Sequence, residues 1–184
     1  MNKTVHVPAG AIPFVLASVM DVDLCVGSLV VIPMIGMFGS VIGSVAPDFD
    51  TKPMHYTQGK KGLAKVGAKV ATKVVNKATG GHRGITHTLL FPVLILLLMG
   101  FTATTFGDMS SFCRLVNSLL FGIFSGWMLH IIVDAFNGKG VPILWPFTKS
   151  KISLLDWPSV GFMSYVFLVP YSAVWYFIIT RLGG

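Results

Sequence analysis

The sequence predicts an all-α fold, a polytopic membrane bundle of about five apolar helices with a basic amphipathic helix on its cytoplasmic face. Three observations carry this reading. Of 184 residues, 53% are hydrophobic and only 11% charged, whereas a soluble domain is typically about 25% charged. Apolar runs of near-spanning length recur along the chain. Between residues 51 and 81 the pattern changes: Lys61, Lys65, Lys69, Lys73 and Lys77 recur at every fourth position, with Val66, Val70 and Val74 interleaved. That is the spacing of a helix with one basic face. The length suits a single membrane-embedded domain, residues 1–184, with 51–81 as its basic insert.

The apolar segments follow in order. Val5 to Met20 is short and carries Pro8 and Pro13, so it either just spans or re-enters; no small-residue cleavage site follows, and it reads as mature structure. Leu24 to Ala46 is long enough to cross, and Gly27, Gly36, Gly39 and Gly43 allow close helix contact. Ile85 to Phe106 and Arg114 to Phe136 are the next two spans. Val160 to Thr180 is the last, with Trp157, Tyr171, Trp175 and Tyr176 as interfacial anchors. Asn137 to Phe147 is too rich in Gly and Pro for regular structure. Cys25 and Cys113 lack metal-type spacing and read as buried free thiols, although their shared side of the bundle would also permit a disulfide.

Five crossings put the N-terminus, residues 48–84 and residues 137–159 on one side. That side holds twelve Lys and Arg residues, while Arg114 and Arg181 stand on the other. Cytoplasmic loops carry the basic excess, so the first side faces the cytoplasm. The acidic side chains are seven Asp and no Glu. A membrane chain that uses acids so sparingly places each for a reason. On the same map, His6, Asp48, Asp50, His82, His87, His130 and Asp134 all fall at helix ends on the cytoplasmic side, a convergence that the charge count did not use.

His130 and Asp134 are four apart, about 40° around a helix, and share a face. They suit two ligands of one ion, a ligand with its supporting carboxylate, or a proton relay. Asp48-x-Asp50 follows a proline and puts two carboxylates on a turn. Alone they favour Mg²⁺ or Mn²⁺, and with imidazole they favour Zn²⁺, Mn²⁺ or Fe²⁺; the plain alternative is a helix-ending turn. His82 and His87 would stand about 140° apart on a helix, but Gly80, Gly81 and Gly84 permit a loop that folds one toward the other. Arg83 stays protonated, so it is a clamp for a phosphate or carboxylate rather than a ligand. The bland account of the lysine run is a solvated face; anionic lipid comes next. Nucleic acid is not expected, because no aromatics alternate with the lysines.

Pro47-Asp48-Phe49-Asp50, Gly81-His82-Arg83-Gly84-Ile85-Thr86-His87-Thr88, and His130-Ile-Ile-Val-Asp134 with the trailing Gly140-Val-Pro-Ile-Leu-Trp-Pro146 resemble the YdjM-like inner-membrane proteins in order and spacing. These are described as LexA-regulated, membrane-bound, metal-dependent hydrolases. The likeness runs from about His6 to Pro146, and His-Arg-Gly-x-Thr-His is its most specific part. It implies a helical bundle in the bacterial inner membrane and a metal-dependent hydrolase.

The expected function is therefore hydrolysis of a phosphoester, in a lipid or another anionic substrate, at the cytoplasmic face. The expected cofactor is a divalent metal, zinc first, with manganese or magnesium as alternatives, held by His6, Asp48, Asp50, His82, His87, His130 and Asp134. Arg83 would orient the anion, and Asp50 or Asp134 would serve as general base. Two rivals stand beside this. One is a proton-coupled transporter or channel using His130 and Asp134. The other is a non-catalytic membrane protein, of a stress response or a phage, with a purely structural metal.

Overall fold

A computed structural model of the chain describes residues 3–26, 29–50, 66, 70, 73, 85–106, 110–136, 140–148, 150–154, 166 and 168–182. Among these residues the fold is mainly helical, as expected. It has five α-helices: α1 (Lys3–Val19), α2 (Pro33–Val45), α3 (Leu90–Phe106), α4 (Ser111–Ala135) and α5 (Leu168–Leu182). Of the basic insert only Val66, Val70 and Lys73 are described, each helical and exposed.

Helix α1 tolerates Pro8 and Pro13 and buries His6, Ala9, Gly10, Pro13, Phe14 and Ala17. Those positions form one i, i+3, i+4 stripe, the pattern of a helix packed along one side. It stops where Asp21 takes a left-handed conformation, φ 53°, and the Val22 amide bonds back to the Ala17 carbonyl at 3.0 Å. This is a Schellman closure, with Asp standing where glycine is usual.

The expected span Leu24 to Ala46 is not one helix. Leu24–Val26 and Leu29–Val31, strands β1 and β2, pair antiparallel with Cys25 opposite Val30. Helix α2 begins only at Pro33, which occupies the first turn, where a missing amide proton costs nothing. Its 13 residues rise about 20 Å, well short of the roughly 30 Å hydrocarbon core. Ile32, just before it, donates its amide to Ser118 Oγ on α4 at 2.8 Å.

Helix α2 packs chiefly on α4, through a seam of Gly36, Gly39, Ser40, Gly43 and Ser44 against Gly122 and Gly126, all buried. A methyl group at Gly39 would strike the Leu119 carbonyl, one at Gly122 the Gly36 carbonyl, and one at Gly126 the Ser40 carbonyl. The two backbones therefore touch directly, the use expected of small residues where helices meet in lipid.

Helix α4 has 25 residues and rises about 38 Å. Among the described helices it alone is long and apolar enough to cross a bilayer. Ser110 caps it, accepting from the Cys113 amide at 3.0 Å. Helix α3 follows a 3-10 turn, Ile85–His87, so the expected span starts later than Ile85; Thr88 Oγ1 accepts from the Leu90 amide at 3.3 Å at its start. Its Val93, Leu94, Leu96, Leu97, Leu98 and Phe101 are exposed. Between α3 and α4, Thr102 Oγ1 donates to Asn117 Oδ1 at 2.6 Å, and Asn117 Nδ2 to Cys113 Sγ at 3.1 Å. Helix α5 packs on α1; the first residues of the span expected from Val160 lie outside the described ones. Both cysteines are free thiols; Cys113 is buried as expected, but Cys25, on the hairpin, is exposed.

The core divides in two. Phe14, Val31 and Met99 pack near the hairpin with Met37, Ile95, Leu120 and Phe121. Ile131, Ala135 and Val141 pack at the far end of α4 with Trp127 and Ile143. The Gly-Pro segment supplies Val141, which bridges to Ile152, while the Leu154 amide reaches the Ala135 carbonyl at 2.7 Å. Gly140, at φ 61°, makes the turn into that bridge, a conformation that suits glycine.

Candidate metal centre

Four chain segments end at this second core and carry the titratable groups to it. His6 lies in the first turn of α1, and Asp48 in the 3-10 turn Ala46–Asp50 that continues α2. His87 closes the turn before α3, and His130 and Asp134 occupy the last turns of α4. All five are buried, the most exposed being Asp48 at 8%.

Asp134 is the hub. Its Oδ1 lies 3.6 Å from His6 Nε2; its Oδ2 lies 3.5 Å from His87 Nε2 and 4.0 Å from His130 Nε2. Asp48 Oδ1 stands 3.7 Å from His130 Nε2. These separations exceed the 2.7–3.2 Å of a hydrogen bond. They match the edge of a coordination sphere, about 3.4 Å for tetrahedral ligands at roughly 2.1 Å from an ion. Candidate ligand atoms of His6, His130 and Asp134, and of Asp48, His87 and His130, lie within 4.8 Å of one another in each set.

The histidines are held by groups that the sequence reading did not single out. His130 Nδ1 lies 2.7 Å from the Ser44 carbonyl oxygen. A carbonyl only accepts, so Nδ1 carries the proton and Nε2 presents its lone pair to the cluster. That Nε2 is buried and makes no hydrogen bond among the described residues. Fixing a ligating imidazole through its other nitrogen is the usual support of a metal site. His87 Nδ1 meets Thr86 Oγ1 at 3.1 Å. The Thr86 carbonyl accepts from Trp127 Nε1 at 2.8 Å, and that indole stacks on Phe91 with centroids 5.0 Å apart. Trp127 precedes His130 by three residues and so shares its helix face, which was the available signal. Ser44 acts through its backbone, which no side-chain pattern reports.

The donor set fits a divalent cation. Three imidazoles and two carboxylates, buried together, include one nitrogen with a bare lone pair. Buried carboxylates are costly unless a cation or donors meet them, and mixed nitrogen and oxygen ligands suit first-row divalent ions. Of the other expected ligands, His82 lies outside the described residues, as does Arg83. Asp50 ends the 3-10 turn, and its side chain also lies outside them.

A family model described as YdjM inner membrane protein matches residues 1–182. The chain is 29% identical over 118 residues to the Bacillus subtilis (strain 168) protein YvsG, covering 63% of this chain and 60% of that one. It is 28% identical over 107 residues to the inner membrane protein YdjM of Escherichia coli (strain K12), covering 58% of this chain and 47% of that one. The Shigella flexneri protein of the same name matches to the same extent. The chain thus spans 47–60% of the length of these relatives. No solved structure matches. With a match that runs over nearly its whole length, the chain belongs to the YdjM inner membrane protein family.

Proposed function

We propose that the chain is a membrane-bound, metal-dependent hydrolase that cleaves a phosphoester, of a lipid or another anionic substrate, at the cytoplasmic face of the inner membrane. One observation carries the reading: five buried imidazoles and carboxylates, drawn from four segments, meet, with His130 Nε2 making no hydrogen bond among the described residues. Zinc is the first choice for such a set, with manganese or magnesium as alternatives. A bound ion of this kind acidifies water toward neutrality and polarises a phosphoryl oxygen.

The chain's own groups supply the rest. His87, His130, Asp48 and Asp134 hold the ion, with His6 beside them, and Ser44 and Thr86 fix the imidazoles. Asp50, or Asp134 in place of serving as a ligand, takes the proton as general base. His82 as a further ligand, and Arg83 as the anion clamp, rest on the His-Arg-Gly-x-Thr-His motif alone. The membrane placement is supported by the exposed apolar face of α3, which would be a large patch in water. It is supported too by the basic excess in the segments that adjoin the cluster's helix ends along the sequence. Exposed Val66 and Val70 beside Lys73 suit a helix laid on anionic lipid.

The test is elemental analysis of detergent-purified protein, followed by turnover on a phosphodiester panel with and without chelator. His87→Ala and His130→Ala should lose bound metal and turnover while still inserting. Full metal retention by both variants refutes the site. Metal without turnover favours a structural ion, and chelator-insensitive ion flux in liposomes favours a transporter.

A further inference from the structure

The rings of His6 and His130 are stacked, with centroids 4.0 Å apart and planes 16° from parallel. An imidazole nitrogen offers its lone pair in the ring plane, so an ion it binds lies close to that plane. Planes so nearly parallel, about 4 Å apart, meet only roughly 14 Å away, against a metal–nitrogen bond of about 2.0–2.1 Å. One ion cannot serve both rings, although their ligand atoms are near neighbours. His87 and His130 differ: their planes are inclined by 69° with centroids 5.1 Å apart, and inclined planes converge nearby.

Asp134 divides the same way. Oδ2 faces His87 and His130, and Oδ1 faces His6. A carboxylate whose two oxygens address two separate nitrogen sets has the disposition of a bridge.

We propose that this centre holds two divalent cations, bridged by the Asp134 carboxylate. Asp48, His87, His130 and Asp134 Oδ2 serve one ion, and His6 with Asp134 Oδ1 serves the other. This deepens the metal-centre reading and rests on it. A paired centre suits a phosphoester substrate, since two ions can hold the attacking and departing oxygens together.

The experiment counts ions instead of measuring activity. Detergent-purified full-length protein is stripped with chelator, reloaded with Mn²⁺, and assayed for manganese per chain and by electron paramagnetic resonance. Wild type should bind two ions per chain and give the spectrum of an exchange-coupled pair. His6→Ala, and separately His6→Gln to spare the packing, should bind one and give the spectrum of an isolated ion. One ion per chain in wild type overturns the paired centre and leaves the hydrolase reading standing. So does a His6 variant that keeps the full count and the coupled spectrum. No bound ion in wild type overturns both.

Discussion

Replacing Gly126 with Ala tests how the helix seam and the centre depend on each other. A methyl group there would meet the Ser40 carbonyl oxygen and lie 2.9 Å from the Ser44 amide nitrogen. Restoring ordinary contact requires α2 and α4 to part by on the order of 1 Å. Overpacking of this kind costs typically 1–3 kcal/mol. The same movement carries the Ser44 carbonyl away from His130 Nδ1, now 2.7 Å distant, and out of hydrogen-bond range. That adds about 1 kcal/mol and frees the imidazole to turn, an effect of roughly 10–100-fold on metal affinity. The expected result is a loss of about 2–4 kcal/mol in stability, with weakened binding of Zn²⁺ measured against a chromogenic chelator. Gly100→Ala is the control. Among the described residues nothing beyond its own helix backbone and chain neighbours comes within 4 Å of a methyl group added there, and alanine in an exposed helix should stabilise by about 0.5–1 kcal/mol. If Gly126→Ala melts and binds metal as Gly100→Ala does, the seam does not position His130.

Three further outcomes are expected. Thr102→Val should cost about 1–3 kcal/mol in thermal or denaturant unfolding, because it strips the buried Asn117 Oδ1 of its 2.6 Å donor; adding Asn117→Leu should recover much of that loss. Trp127→Phe keeps the stacking on Phe91 but loses the 2.8 Å bond to the Thr86 carbonyl. It should lower stability by about 1 kcal/mol and weaken metal binding through His87, read by the same chelator competition. Exposed Cys25 should react with a maleimide in the folded protein while buried Cys113 does not. In intact spheroplasts a membrane-impermeant maleimide should reach Cys25, which lies at the other end of α2 from the cluster.

Much of the centre was legible because its residues are rare in such a chain. Five histidines and seven aspartates among 184 residues leave few ways to gather imidazole and carboxylate at one set of helix ends. His6, Asp48, His87, His130 and Asp134 do come together. The hairpin was not legible from hydropathy, since Leu-Cys-Val and Leu-Val-Val are as apolar as a helix turn and too short for periodicity to speak. The Gly-Ser pair between them and Pro33 after them were the marks of a turn and a helix start. The start of α3 was set too early because Thr86 and Thr88 engage nearby side-chain and backbone groups instead of continuing a helix. The supports of the imidazoles were hidden for another reason: a backbone carbonyl and an indole proton act through position, which only the packed chain specifies.

The glycines joining α2 to α4 also constrain how the protein can move. Sliding one of these helices along the other by a single residue would set a side chain where a carbonyl now rests, so the pair travels as one stiff rod. Any parting of the helices therefore falls to α3, which meets α4 in part through the side chains of Thr102 and Asn117. If the proposed hydrolase reading holds, cross-linking α2 to α4 should leave turnover intact, and tethering α3 to α4 should lower it.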